Sequence, residues 1–156
     1  MSLTARDVMD TRYRTLQPQT PIAEAIDIFE KASEERGQRV FGMMVTDEAG
    51  RLVGMLSMYD ILLLMRPKHI HIWGEMKDID VSGFIREACE RAKPILVGDI
   101  MTTEVVTIEP DTHLMLIVDI MIKKHIRRLP VIDNGKVVGI VYISTVFHHL
   151  MKQMKR

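Results

Sequence analysis

DVMDTRYRTLQPQTP (7–21) and DIMTTEVVTIEPDTH (99–113) are one phrase written twice. Asp7, Met9, Thr11, Thr15, Pro18 and Thr20 recur 92 positions later as Asp99, Met101, Thr103, Thr107, Pro110 and Thr112. Further on, DEAGRLVGMLSMYDIL (47–62) faces DNGKVVGIVYISTVF (133–147), where Gly50 and Gly54 recur as Gly135 and Gly139 at an offset of 85. The fall from 92 to 85 gives the first copy seven extra residues. Most lie around EERGQR (34–39) and one lies in the Asp47–Gly50 turn. A long period of this kind marks one supersecondary unit used twice.

Each copy reads as strand, helix, strand, turn, strand, helix. Thr20-Pro21 and Asp111-Thr112 predict helix N-caps, with Pro21 at the first helical position. Ile22, Ala25, Ile26 and Phe29 have the three-and-four spacing of an apolar helix face, and Leu114, Ile117, Val118 and Met121 repeat it. FGMMVTD (41–47) and LPVIDNG (129–135) then lead through Asp/Asn/Gly turns into RLVGML and KVVGIV, a hairpin signal. Closing helices follow at 58–66, stopped by Pro67, and at 144–155. The domain reading is repeat 1 at 4–65, a linker at 66–94 and repeat 2 at 95–151. Within the linker, SGFIREACERAK (82–93) predicts an amphipathic helix capped by Ser82, with Phe84, Ile85, Ala88 and Cys89 on one face.

Composition narrows the function classes. Neither half of about 70 residues buries enough apolar surface to be comfortable alone, so the halves are expected to share a core. The 21 basic and 21 acidic residues cancel, which removes the global basic field of a nucleic-acid binder. Cys89 stands alone, so no intramolecular disulfide or cysteine-based metal cluster forms, and a reducing cytoplasm is the expected location. MSLTARDVMD carries charges where a signal peptide is apolar, and no apolar run reaches membrane-spanning length. The thirteen methionines are scattered and read as core filler.

Taken in order, these motifs resemble the CBS (cystathionine-β-synthase-type) domain, whose pairs form the Bateman module. The likeness covers residues 4–65 and 95–151. Repeat 2 carries it as DIMTTEVVTIEPDTHL and HIRRLPVIDNGKVVGIV, and repeat 1 carries the closing motif as GMLSMYD (54–60). The resemblance implies an α/β (α+β) fold. Two β-α-β-β-α repeats would pack with pseudo-two-fold symmetry, with a helical insertion between them. It also implies clefts that bind AMP, ADP or ATP, or S-adenosylmethionine, each cleft drawing on both repeats.

Carried over residue by residue, the resemblance builds one good cleft. Asp60 would accept two ribose hydroxyls, and Ser57 would turn its hydroxyl toward ribose or phosphate. Val105, Val106, Leu129 and Pro130 would give an apolar slot for adenine. Arg127 and Arg128 would face phosphate, which suits the planar donor fork of guanidinium. Singly, each has a plainer explanation: an aspartate at a helix start is usually a cap, and paired arginines usually end a solvated strand. The second cleft departs from the pattern, with Tyr142 and Thr145 in place of Ser/Thr and Asp, and only Arg14 within reach of a phosphate. It is expected to be empty or weak.

No catalytic motif is present: there is no P-loop, no GxGxxG and no nucleophile elbow. His69 and His71, with Glu75, Asp78 and Asp80 downstream, are a loose metal motif; alternating histidines beside Trp73 are more often packing groups, and His148-His149 is no stronger. The expected function is a non-enzymatic module without a cofactor, sensing an adenosine nucleotide in one cleft and signalling through a regulated partner or a homodimer. Neither nucleic acid nor membrane is an expected partner. The alternative is a dimerisation or docking module whose cleft is vestigial, since the apolar helices at 58–65 and 144–154 exceed what one small module needs.

Overall fold

The computed structural model describes residues 3–66 and 82–155. Packing cuts across the two sequence copies. One compact unit comprises Met1–Tyr13, Thr46–Leu52 and Glu104–Arg156, and the other Arg14–Val45 and Val53–Thr103. We call them the repeat-2 unit and the repeat-1 unit, after the copy that supplies most of each. Each unit thus takes its short leading helix from the opposite copy.

The repeat-1 unit holds α2 (Ile22–Arg36), most of β1 (Gly42–Thr46) and β2 (Leu52–Ser57), α3 (Met58–Met65), α4 (Ser82–Ala92) and α5 (Val97–Ile100). β1 pairs with β2. Helix α2 buries Ile22, Ala25 and Ala32. These join Leu16, Met43, Val45, Leu56 and Val97 in one core. Fully burying the isoleucine, leucine, valine and methionine side chains among them stabilises by about 1.5–3 kcal/mol each relative to exposure. Gly37 stops α2 in the left-handed conformation (φ 77°), its N–H donating to the Ser33 carbonyl at 2.9 Å.

The repeat-2 unit holds α1 (Ala5–Val8), α6 (Leu114–Lys124), β3 (Arg128–Asp133), β4 (Lys136–Tyr142) and α7 (Ile143–Met154). β3 and β4 are antiparallel, Arg128 facing Tyr142 and Asp133 facing Lys136. Asn134 (φ 52°) and Gly135 (φ 80°) make the tight turn that Asn-Gly favours. Its core gathers Ala5, Val8, Ile108, Leu114, Ile117, Leu129, Val131 and Val141.

Two local expectations are corrected. The leading strand of each copy shrinks to a single parallel bridge, Leu16 to Val45 and Ile108 to Val131. Two residues later stand Pro18 and Pro110, which have no N–H to extend a ladder. The helix caps also sit one or two residues later than predicted. Pro21 is the N-cap of α2 rather than its first helical residue, and His113 caps α6 through Nδ1, which accepts from the Met115 N–H at 3.0 Å. Thr20 and Thr112 instead close the preceding turns, their hydroxyls accepting from the N–H groups of Gln17 and Glu109 at 3.3 and 3.0 Å.

Candidate functional site

The residues expected to bind ligand fall on both units, and each set lies within its own unit. In the repeat-1 unit, Ser57 ends β2 and caps α3, and Asp60 is the third residue of that helix. They form a capping box: the Asp60 N–H donates to Ser57 Oγ at 3.3 Å, and the Ser57 N–H donates to Asp60 Oδ2 at 2.9 Å. The Ser57 hydroxyl also donates to Oδ2, at 3.2 Å. The plain capping role is therefore realised, in a carboxylate that remains partly exposed.

Oδ1 has a partner that sequence reasoning missed. Thr102 Oγ1 donates to it at 3.3 Å. The Thr102 backbone is pinned beside β2 by two hydrogen bonds with Met55, both of 2.9 Å. Gly54 makes that approach possible, because a Cβ there would lie 2.6 Å from Met101 Sδ and 2.9 Å from the Thr102 carbonyl oxygen. The signal was present in the repeat itself: Met101 and Gly54 are both duplicated positions.

The repeat-2 unit carries the remaining expected residues. Arg127, Arg128, Leu129 and Pro130 are consecutive around the start of β3. Ile108, two residues beyond Val106, bonds to β3 through its N–H to the Pro130 carbonyl at 3.0 Å. Val105 and Val106 are half-buried, and Val106 packs against the core. Leu129 and Pro130 are fully buried, and Leu129 is a core residue, so its side chain presents no free face for a base.

The two arginines differ, as alternation along a strand demands. Arg127 is exposed, and its carbonyl accepts from the Ile143 N–H at the start of α7, at 2.8 Å. Arg128 is half-buried beside Tyr142 and makes no ion pair with any described carboxylate. Burial pushes its guanidinium below the usual arginine range; the Tyr142 phenol opposes this and neighbouring Arg127 adds to it. A partly desolvated cation without a carboxylate is a place where an anion gains most.

The second set of positions is different chemistry. Tyr142 is the N-cap of α7 and makes no side-chain capping bond. Arg14 is already committed: Nε and Nη2 donate to the two carboxylate oxygens of Glu35, the second at 3.3 Å. His69, His71, Glu75, Asp78 and Asp80 lie outside the described residues, as do Trp73, Pro67 and the side chain of Ser82. Among the described residues no three histidine, cysteine or acidic side chains gather as a metal site. None of the described helices is long and apolar enough to cross a membrane. An open groove of about 700 Å³ lies in the repeat-1 unit between Ile26, Phe29, Val40, Phe41 and Met58, over the extra residues of that copy. None of the expected ligand residues lines it.

Comparison with known proteins agrees with the duplicated motif. The CBS domain family profile matches residues 5–67 and 97–152. The chain is 29% identical over 154 residues to CBS domain-containing protein CBSX1, chloroplastic, of Arabidopsis thaliana, covering 90% of this chain and 60% of that one. It is 26% identical to CBSX2, chloroplastic, of the same plant, of which it spans 65%. The crystal structure of CBSX2 in complex with AMP superposes with a TM-score of 0.69 at 26% identity, covering 98% of both chains. The crystal structure of CBSX2 as a CBS-pair protein gives a TM-score of 0.77 at 23% identity, covering 100% of this chain and 99% of that one. With its motif written twice and both copies matched, this chain belongs to the CBS domain family as a tandem CBS pair.

Proposed function

We propose that this chain is a non-catalytic regulatory module that binds an adenosine nucleotide and passes the signal to a partner protein or a second copy of itself. AMP is the first candidate, with ADP, ATP and S-adenosylmethionine as competitors. The observation that carries this reading is Arg128, a half-buried guanidinium with no described carboxylate partner and a second arginine beside it. Such an arrangement favours phosphate over neutral ligands. The relative CBSX2 has been crystallised in complex with AMP, which supports the same class of ligand. Asp60 and Ser57 are the proposed ribose contacts. Val105, Val106 and the backbone around Leu129 and Pro130 are the proposed surface for adenine. Lone Cys89 suits a reducing compartment, and we propose the cytoplasm.

Isothermal titration with the four ligands is the direct test. AMP, ADP or ATP should give saturable heat, and Arg127→Ala/Arg128→Ala should weaken it by about tenfold or more, the loss of a charge-assisted contact. Asp60→Ala should also weaken it, whereas Thr145→Ala should change little. Absence of heat with every ligand at near-millimolar concentration would sink the reading.

A second reading rests on exposed apolar side chains. Tyr59, Leu62 and Leu63 on α3 are 71%, 59% and 55% exposed, and Phe147 and Met154 on α7 are 59% and 80% exposed. A homodimer or docking platform would cover such surface. A dimer in sedimentation that ignores nucleotide and survives Asp60→Ala would favour this reading over the sensor.

A further inference from the structure

The geometry around Asp60 points to Thr102 as the residue that ribose must displace, and so as the side chain that sets how strongly this module distinguishes ribose from deoxyribose. This rests on the adenosine-nucleotide reading above. A carboxylate offers about four lone-pair sites. Three are taken: the Ser57 N–H and hydroxyl use Oδ2, and the Thr102 hydroxyl uses Oδ1. One site remains, so Asp60 can accept one ribose hydroxyl beside Thr102 but not both. Acceptance of the second requires a bond to break.

The bonds are unequal in what they hold. Those from Ser57 satisfy the start of α3, where an orphaned N–H would be costly. The Thr102 hydroxyl satisfies nothing but itself, because its residue is exposed and its backbone already pairs with Met55. A turn about one side-chain torsion returns that hydroxyl to water. Thr102 is therefore the partner that yields.

The duplication provides independent support. By the two offsets, Thr102 corresponds to Asp10 and Asp60 corresponds to Thr145. Asp10 is pinned to Ile140 by hydrogen bonds of 2.8 and 3.0 Å, just as Thr102 is pinned to Met55. Gly139 repeats Gly54, its hypothetical Cβ again 2.6 Å from a methionine sulfur, that of Met9. Thr145 is the third residue of α7, as Asp60 is of α3. Both units thus keep one aspartate and one threonine at these two positions, with the residues exchanged.

The test compares AMP with 2′,3′-dideoxy-AMP, by isothermal titration, on wild type, Thr102→Val and Thr102→Ser. Valine keeps the shape and removes the donor. Thr102→Val should bind AMP roughly 3- to 10-fold tighter, the worth of one competing hydrogen bond, with dideoxy-AMP affinity unchanged. Thr102→Ser, which keeps the hydroxyl, should follow wild type. An unchanged ratio of AMP to dideoxy-AMP affinity in Thr102→Val overturns the role of Thr102 while leaving the nucleotide reading intact. Weaker AMP binding in that variant likewise makes Thr102 a support for Asp60 and not its competitor. Failure of wild type to bind AMP overturns both.

Discussion

Arg14 holds Glu35 with two nitrogens, donating from Nε and Nη2 to both carboxylate oxygens and tying the segment before α2 to the last turn of that helix. The pair holds the Glu35 carboxyl below its ordinary range, and the hydrogen bond contributes more than the charge alone. Arg14 is raised in turn by the same bond. An arginine so engaged is a poor phosphate ligand. Arg14→Ala should therefore leave AMP affinity within about twofold of wild type by titration. A depressed carboxylate favours folding above its unfolded range and loses that contribution as pH falls through its folded value. Glu35→Gln should accordingly melt slightly below wild type at neutral pH and together with it in acid, checked by thermal melts across that range.

Arg128 sets stability against binding. Its guanidinium is partly desolvated with no described carboxylate to compensate. Exchanging such a charge for an apolar chain of similar length is often stabilising. Arg128→Met should stabilise the ligand-free protein by up to about 1 kcal/mol, read as a raised melting temperature. The same variant should lose most of the temperature rise that nucleotide gives to wild type. A fall in both quantities would make Arg128 a packing residue.

The sequence made the duplication legible because its marks are local: two glycines per hairpin, a proline after each leading segment and an apolar face on each first helix. It also placed Asp60 correctly at the start of α3. What it could not show was the set of partners that spacing does not encode. Thr102 reaches Asp60 from 42 residues away, Arg14 finds Glu35, and Leu129 turns into the core instead of standing open. Leading segments that pack with the opposite copy were equally hidden, since a repeat in sequence says nothing about which unit each piece joins.

Gly54 and Gly139 occupy the same place and should not tolerate alanine equally. A Cβ at Gly54 meets not only Met101 Sδ but also the Thr102 carbonyl oxygen at 2.9 Å, a backbone atom that accepts from the Met55 N–H. At Gly139 the close atoms are Met9 Sδ and Cγ, which can swing away, and the Asp10 oxygen is at 3.1 Å. Gly54→Ala should cost about 1–3 kcal/mol in chemical denaturation, the usual range for overpacking, and Gly139→Ala distinctly less. Equal losses would mean that Met9 is as rigid as the backbone.

The exchanged pair makes a prediction about charge. Thr145→Asp would put a second carboxylate at the position whose counterpart, Asp60, lies within 3.3 Å of the bridge residue's hydroxyl. In the repeat-2 unit the bridge residue is Asp10, so the variant sets two negative charges where the protein keeps one. Two unit charges about 4 Å apart in a water-like medium repel by about 1 kcal/mol, which sets the scale of the effect. Like charges raise the pKa of one carboxyl above its unfolded value. The variant should therefore match wild type in acid, where that carboxyl is protonated, and fall below it as pH rises through the carboxylate range. Adding Asp10→Thr rebuilds in the repeat-2 unit the arrangement of Thr102 and Asp60, and should restore stability at neutral pH. Denaturant melts of both variants at acidic and neutral pH decide the matter: a single variant that loses stability equally at both has been damaged by shape and not by charge.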